Sequence, residues 1–234
     1  MIDVIPAADC HAEQFDSIRV RSLLSYNNYF DPHNSAFGPL LVFNDYRVPP
    51  AAGFRMHPHP NCEQIFVVLS GVQKCSDNLN NSLVLEPVTV QRVTAGEGYA
   101  RATSNYGNST LHFLSLRFQP RRVPRLTEHR LLRVQPHTLK DRLFHAVCGD
   151  EKAAGSAEPL WFDTNADIYL AVLDQTSRQH FVPAGCRSLV YVADGGALMD
   201  GRPLESGDHV RITGPETVFL APSPWALLIF TIMR

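Results

Sequence analysis

Hydrophobic residues in this chain come in short runs. Leu40–Phe43, Ile65–Leu69, Ser82–Val93, Leu111–Phe118, Ile168–Leu173, Leu189–Val192 and Trp225–Met233 are rich in Val, Leu, Phe and Ile. Each is too short for a typical helix and is bounded by turn residues, which is the pattern of a β-strand. No stretch keeps a helical apolar period over several turns with caps. Many short strands, punctuated by 17 prolines and 14 glycines, predict an all-β chain built as a sandwich or barrel.

A faint internal repeat divides the strands into two sets. "FVVLSGVQ" (66–73) and "LVYVADGGALMDG" (189–201) each run a strand into a glycine turn and out again, and Gly71 and Gly195 lie about half the chain apart. The segment between them is rich in proline and arginine and reads as a connector. Two tandem β-barrels are expected: 1–120, a connector over 121–142, and 143–234.

Composition narrows the function classes. The chain has 234 residues, 44% hydrophobic and 19% charged, with a net charge of −2. Such a balance gives no general attraction to nucleic acid or to an anionic membrane. No apolar run approaches the ~20 residues that span a bilayer. The N-terminal residues carry acids early and lack an apolar segment, so a cytoplasmic protein is expected. The connector arginines (Arg117, Arg121, Arg122, Arg125, Arg130 and Arg133) come without interleaved aromatics, and a solvated linker paired with nearby acids is the expectation rather than a nucleic-acid contact.

Candidate chemistry concentrates in "RMHPHPNCEQIFVVLSG" (55–71). Side chains two apart on a strand share a face, so His57 and His59 point the same way and two imidazoles can grip one ion. Glu63 has the same parity, as do Ile65, Val67 and Leu69, although Pro58, Pro60 and Asn61 interrupt the alternation. A pocket with polar groups at its mouth and an apolar lining is expected. Two ligands do not hold a divalent ion well; a working site needs three or four.

The five cysteines are scattered and never spaced as CxxC, which speaks against a disulfide scaffold and a zinc knuckle. Cys62 follows the histidine pair; it reads as a small buried strand residue, with a thiolate favoured by nearby imidazoles or Arg101 as the alternative. Cys75 lies past the Gly71 turn. A hairpin over Ser70–Gly71 would set it near Phe66, beyond disulfide reach of Cys62. Cys62 and Cys75 are therefore candidates for single-thiol redox chemistry. His112 alternates with apolar residues and reads as a core histidine. His33, His129, His137, His145 and His209 have no companion at ligand spacing.

The motifs "YFDP" (29–32), "FGP" (37–39), "HPHPNCEQIFVVLSG" (57–71) and "AGEG" (95–98), in that order, resemble the pirin family. "YVADGGALMDGRPLESGDHVRI" (191–212) is similar to the C-terminal half of that family. The resemblance implies a bicupin, two tandem jelly-roll-like cupin barrels, with a metal in the N-terminal one alone. Its characterised members include iron-binding nuclear proteins that modulate transcription factors and bacterial quercetin 2,3-dioxygenases. A protein partner is implied by the same resemblance.

The family's metal ligands are two histidines of the HPH motif, then a histidine and a glutamate from a segment like "AGxGxxHSE". His57 and His59 match the first two. The next segment reads "AGEGYARATSN", which sets Arg101 at the third histidine and Thr103 at the glutamate. A guanidinium has no lone pair to donate. At an effective dielectric of ~20, a single and a double positive charge ~4 Å apart repel by roughly 8 kcal/mol. In the second barrel the equivalent offsets from Gly195 fall on Phe181, Pro183 and Arg187, none a cupin ligand, and His180 is off by one.

The expectation is a pocket of His57, His59, Glu63, Arg101 and Thr103 with no resident metal, in a non-catalytic protein that binds a small, anionic molecule, responds to redox state or binds a partner. The alternative is an enzyme. Either His57, His59 and Glu63 hold Fe(II) or another divalent metal for a quercetin 2,3-dioxygenase-like reaction, or Arg101 anchors an anion beside a histidine base.

Overall fold

The computed structural model describes residues 1–59, 61–122, 126–154 and 158–234. Among these, helix is confined to short turns at Ala7–Asp9, Pro32–Asn34 and Pro136–Leu139. The chain is all-β, as the short apolar runs predict. It opens with β1 (Ile2–Ile5), followed by β2 (His11–Phe15), β3 (Ile18–Ser22), β4 (Leu40–Val48), β5 (Gly53–His59), β6 (Glu63–Ser70), β7 (Gln73–Asp77), β8 (Ser82–Leu85), β9 (Thr89–Thr94), β10 (Tyr99–Asn105), β11 (Leu111–Phe118) and β12 (Glu128–Arg133). Then come β13 (Phe144–Cys148), β14 (Leu160–Trp161), β15 (Ala166–Leu173), β16 (Arg178–Val182), β17 (Arg187–Met199), β18 (Arg202–Glu205), β19 (His209–Thr213) and β20 (Glu216–Met233). The run Ser82–Val93 is two strands rather than one. The chain turns at Pro87, which has no N–H to give a ladder, and at Val88, which takes a φ of 61°.

His11–Val134 and Phe162–Thr164 form one compact unit. Its described strands make two antiparallel sheets, in the orders β12-β9-β6-β11-β4-β3-β2 and β5-β10-β7-β8. Buried side chains of both sheets join one apolar cluster, with Phe66, Val68 and Phe113 from the larger and Cys75 and Tyr99 from the smaller. The expected hairpin over Ser70–Gly71 does not form. β7 leaves β6 for the other sheet, where it pairs with β10 and β8. Gly71 makes that departure with a φ of +78°, and a Cβ there would stand 2.7 Å from Leu111 Cα. Only glycine fits.

Met1–Cys10, Gln135–Trp161 and Asn165–Arg234 form the second unit. Its described strands make a nine-stranded sheet with the path β1-β19-β17-β20-β15-β13-β14, β16 adding to β20 and β18 to β17. Val190, Val210, Ile212, Leu228 and Phe230 are among its core. Gly195 has a φ of +75°, and a Cβ there would meet Trp225 O at 2.2 Å. Both glycines that mark the repeat are thus required by the backbone.

The unit bounds differ from the expected 1–120, 121–142 and 143–234. Residues 2–5 pair with β19, from Ile2↔Ile212 to Ile5↔His209, so the N-terminal segment belongs to the second unit. The connector is not a free linker. Its Glu128–Arg133 is β12, laddered onto β9 from Glu128↔Thr94 to Arg133↔Thr89. Arg121 and Arg122 reach the buried carboxylate of Asp163 at 3.2 and 3.0 Å, and Arg130 pairs with Glu128 at 2.8 Å. Arg125 and Pro60 lie outside the described residues. No helix among the described residues is long and apolar enough to cross a membrane.

Candidate functional site

The site is built where β5 and β10 pair. Arg101 stands opposite His57 and Tyr99 opposite His59 in the antiparallel ladder, with a register shift between Arg101 and Thr103. Residues directly opposite share a face, so the histidine pair and Arg101 line one wall. The two imidazole centroids are 4.5 Å apart. The wall bounds a cavity of about 510 Å³ whose lining includes His57, His59, Arg101, Thr103, Phe66 and Arg117.

Hydrogen bonding sets the tautomer of each histidine. His57 Nδ1 lies 2.8 Å from the Arg55 carbonyl, which can only accept, so Nδ1–H donates and Nε2 keeps the lone pair. His59 is the reverse. Its Nδ1 lies 3.2 Å from Arg117 Nη2 and 2.9 Å from Gln64 Nε2. A guanidinium can only donate, so Nδ1 is the acceptor and Nε2 carries the proton. That Nε2 is buried and makes no hydrogen bond. Burial first, then the charges of His57, Arg117 and Arg101, push the His59 pKa down to about 3, so the ring is neutral at ordinary pH.

Arg101 is clamped. Its Nε donates to Thr103 Oγ1 at 3.0 Å and its Nη1 to Gln91 Oε1 at 2.6 Å. The guanidinium lies 3.9 Å over the Phe66 ring, and the side chain is 1% exposed. Nη2 is buried without a hydrogen bond. The positive charge at this wall is therefore held in place, and Thr103 helps to hold it.

Glu63 is not a cavity residue. The strand parity that runs through His57 and His59 stops at the turn after β5, and β6 begins a new alternation in the other sheet. On β6 it is Phe66 that faces the cavity, while Gln64, on the same parity, reaches His59. The Glu63 carboxylate accepts Thr94 Oγ1 at 3.0 Å and the Asp163 N–H at 3.2 Å. Burial raises its pKa, against the pull of Arg92. The expected His57, His59 and Glu63 set is not brought together.

Cys62 and Cys75 are both buried in the apolar cluster, as free thiols. Desolvation outweighs the charge of Arg117 and pushes the Cys62 thiol up to about 11. Cys62 is the small buried residue of the first reading, and the alternative of a thiolate favoured by nearby charge is not supported. His112 is buried 2.9 Å from Asp45. His180 is buried against Phe230 and Ser188 Oγ. Both are packing residues.

Sequence reasoning missed Gln64, Gln91 and Arg117. Arg117, which in sequence reads with the connector, lies within β11, on which Phe113, Ser115 and Arg117 all line the cavity. Two polar residues at alternate positions of an apolar strand were the signal available.

Residues 8–116 match the sequence model of the family described as pirin. A pirin-like protein of Caulobacter vibrioides is 31% identical over 121 residues, 52% of each chain. Over residues 8–116, just under half of its length, the chain is similar to the pirin family. In structure it is similar to the bacterial pirin YhhW of Escherichia coli crystallised in complex with nickel(II), with a TM-score of 0.89 at 19% identity, over 100% of this chain and 99% of that one. That likeness shows a pirin-type bicupin fold. The Escherichia coli quercetin 2,3-dioxygenase is 26% identical over 212 residues, 88% of this chain and 87% of its own. The chain spans about half the length of other curated relatives it matches, including 48% of a Mycobacterium tuberculosis protein at 33% identity.

The side chains present do not fit the metal that pirin resemblance implies. His57 offers one lone pair at Nε2. The lone pair of His59 sits at Nδ1, facing Arg117 and Gln64. Arg101 has none to give, and Thr103 Oγ1 is occupied by Arg101 Nε. One imidazole nitrogen beside a clamped guanidinium is not a donor set for a dication.

Proposed function

We propose that the cavity of the first unit binds a small anionic organic molecule without a resident metal, and that this pirin-like protein acts through that ligand rather than by metal catalysis. The observation that carries the reading is the clamped Arg101 with an unpartnered, buried Nη2. Arg117 Nε and the protonated Nε2 of His59 are also buried without hydrogen bonds. Unpaired buried donors are costly, and a carboxylate satisfies several at once. The remaining lining includes Phe66, Tyr46 and Phe113, which suits a planar apolar body.

Calorimetry with benzoate and its neutral isostere benzamide tests this. Benzoate is expected to bind and benzamide to bind more weakly, with the difference lost in Arg101→Met. Equal binding of the two probes, or stoichiometric chelator-resistant metal in the first unit, would overturn the reading.

One observation favours a second reading, metal-dependent oxygenation: the 26% identity to the Escherichia coli quercetin 2,3-dioxygenase along 88% of this chain. Oxygen uptake with a flavonol after anaerobic loading with Fe(II) would establish it.

A further inference from the structure

His145 has no companion at ligand spacing along the chain, but the fold supplies two. One nitrogen of His145, Cys148 Sγ and one carboxylate oxygen of Asp167 all lie within 4.8 Å of one another. We propose that these three residues of the second unit form a binding site for a thiophilic divalent cation of the zinc class. It rests on groups of the second unit alone and is independent of the cavity reading.

A strand irregularity creates the site. Residues three apart on a regular strand point to opposite faces, which would separate His145 from Cys148. β13 pairs with β15 as His145↔Tyr169 but Val147↔Ile168, a register shift that leaves one extra residue on β13. A bulge of this kind resets the alternation and brings His145 and Cys148 to the same side. Asp167 is the direct cross-strand partner of Cys148.

The donors suit a cation. His145 Nε2 lies 3.4 Å from Asp167 Oδ1, a separation close to that of adjacent ligands on a tetrahedral ion. Asp167 is held by the Gly149 N–H at 3.2 Å and by Arg234, which fixes its carboxylate beside His145. Cys148 Sγ donates to the Asp150 carbonyl at 2.9 Å. A cation takes the place of that proton, which leaves to solvent as the sulfur becomes a thiolate ligand. One sulfur, one imidazole and one carboxylate favour zinc or cobalt over the all-oxygen ions magnesium and calcium. Three ligands leave one position open. Arg234 opposes the added charge while orienting the carboxylate, so it tunes the affinity downward.

Cobalt(II) is the probe. Chelator-stripped, untagged protein is titrated with Co(II) while near-ultraviolet thiolate-to-cobalt charge transfer and visible ligand-field bands are recorded, then Zn(II) is added. A one-to-one band that zinc displaces is expected. Cys148→Ser should remove the charge-transfer band. His145→Gln, at a half-exposed position that tolerates change, should weaken binding by about 10-fold or more, and Arg234→Gln should tighten it. A double His57→Ala, His59→Ala variant should leave the band unchanged, which separates this site from the first unit's cavity. No charge-transfer band at saturating Co(II), a band that persists when Cys148 is replaced, or a Co(II) affinity unchanged in His145→Gln would overturn the proposal.

Discussion

His57 and Arg101 face each other across the ladder between β5 and β10. The position that pirin resemblance reserves for a third histidine ligand is thus filled by a guanidinium on the same wall as the first. Thr103 and Gln91 hold that guanidinium, and Phe66 lies under it. The substitution is built into the wall rather than tolerated at its edge.

Restoring the family ligands should restore metal binding. Arg101→His with Thr103→Glu removes the fixed charge and adds two donors. Plasma mass spectrometry after anaerobic incubation with Fe(II) or Mn(II) is expected to find metal near one per first unit in the double variant and well below it in the parent. No gain would mean that Arg117 keeps the His59 lone pair turned toward itself.

Arg117 should act on anionic ligands and on His59 together. Arg117→Met removes a charged donor, worth about 1.5–3 kcal/mol when it serves an anion, so benzoate affinity should fall about 10- to 100-fold with benzamide little changed. The same change removes one of the charges that depress the His59 pKa, so that pKa should rise, as read by NMR titration of the ring. An unchanged His59 titration would mean that Arg117 does not govern this tautomer.

Glu63 should matter for stability and not for the ligand. Glu63→Ala strands Thr94 Oγ1 and the Asp163 N–H in the interior, at a cost of about 1–3 kcal/mol. Denaturant unfolding should show that loss while the benzoate dissociation constant stays the same. A large change in affinity at unchanged stability would put Glu63 back in the cavity.

Acid should weaken the second unit through two buried histidines. Desolvation, followed by the charges of Arg178 and Arg211, pushes His180 down to about 4 and His209 down to about 3. Above a pH of about 6.5 both are neutral whether the chain is folded or not. Below it the unfolded chain gains a proton at each that the folded chain refuses, so stability falls as pH falls, until the folded values are reached. Going from pH 7 to about 5 should cost about 2 kcal/mol per histidine. Denaturation at the two pH values checks this, with a shallower decline in His209→Gln; equal slopes in parent and variant would exclude His209 as a source.

The amino-acid sequence by itself determined what is local. Strand parity put His57 and His59 on one face, the lone-pair chemistry of arginine made Arg101 unfit as a ligand, and the short apolar runs specified strands. Motif order carried the resemblance to pirins. What lay across turns was settled only by tertiary structure, because parity is lost whenever the backbone stops being a regular strand. The turn after His59 moved Glu63 off the cavity and set Gln64 beside His59. The sheet change at Gly71 sent Cys75 to β10, and a bulge in β13 joined His145 to Cys148. Arg117 reached His59 because β11 pairs with β6 and β4, a long-range ladder. Burial, which decides that Cys62 stays a thiol and His59 stays neutral, is likewise a property of the packed sheets and not of the residues that flank them in sequence.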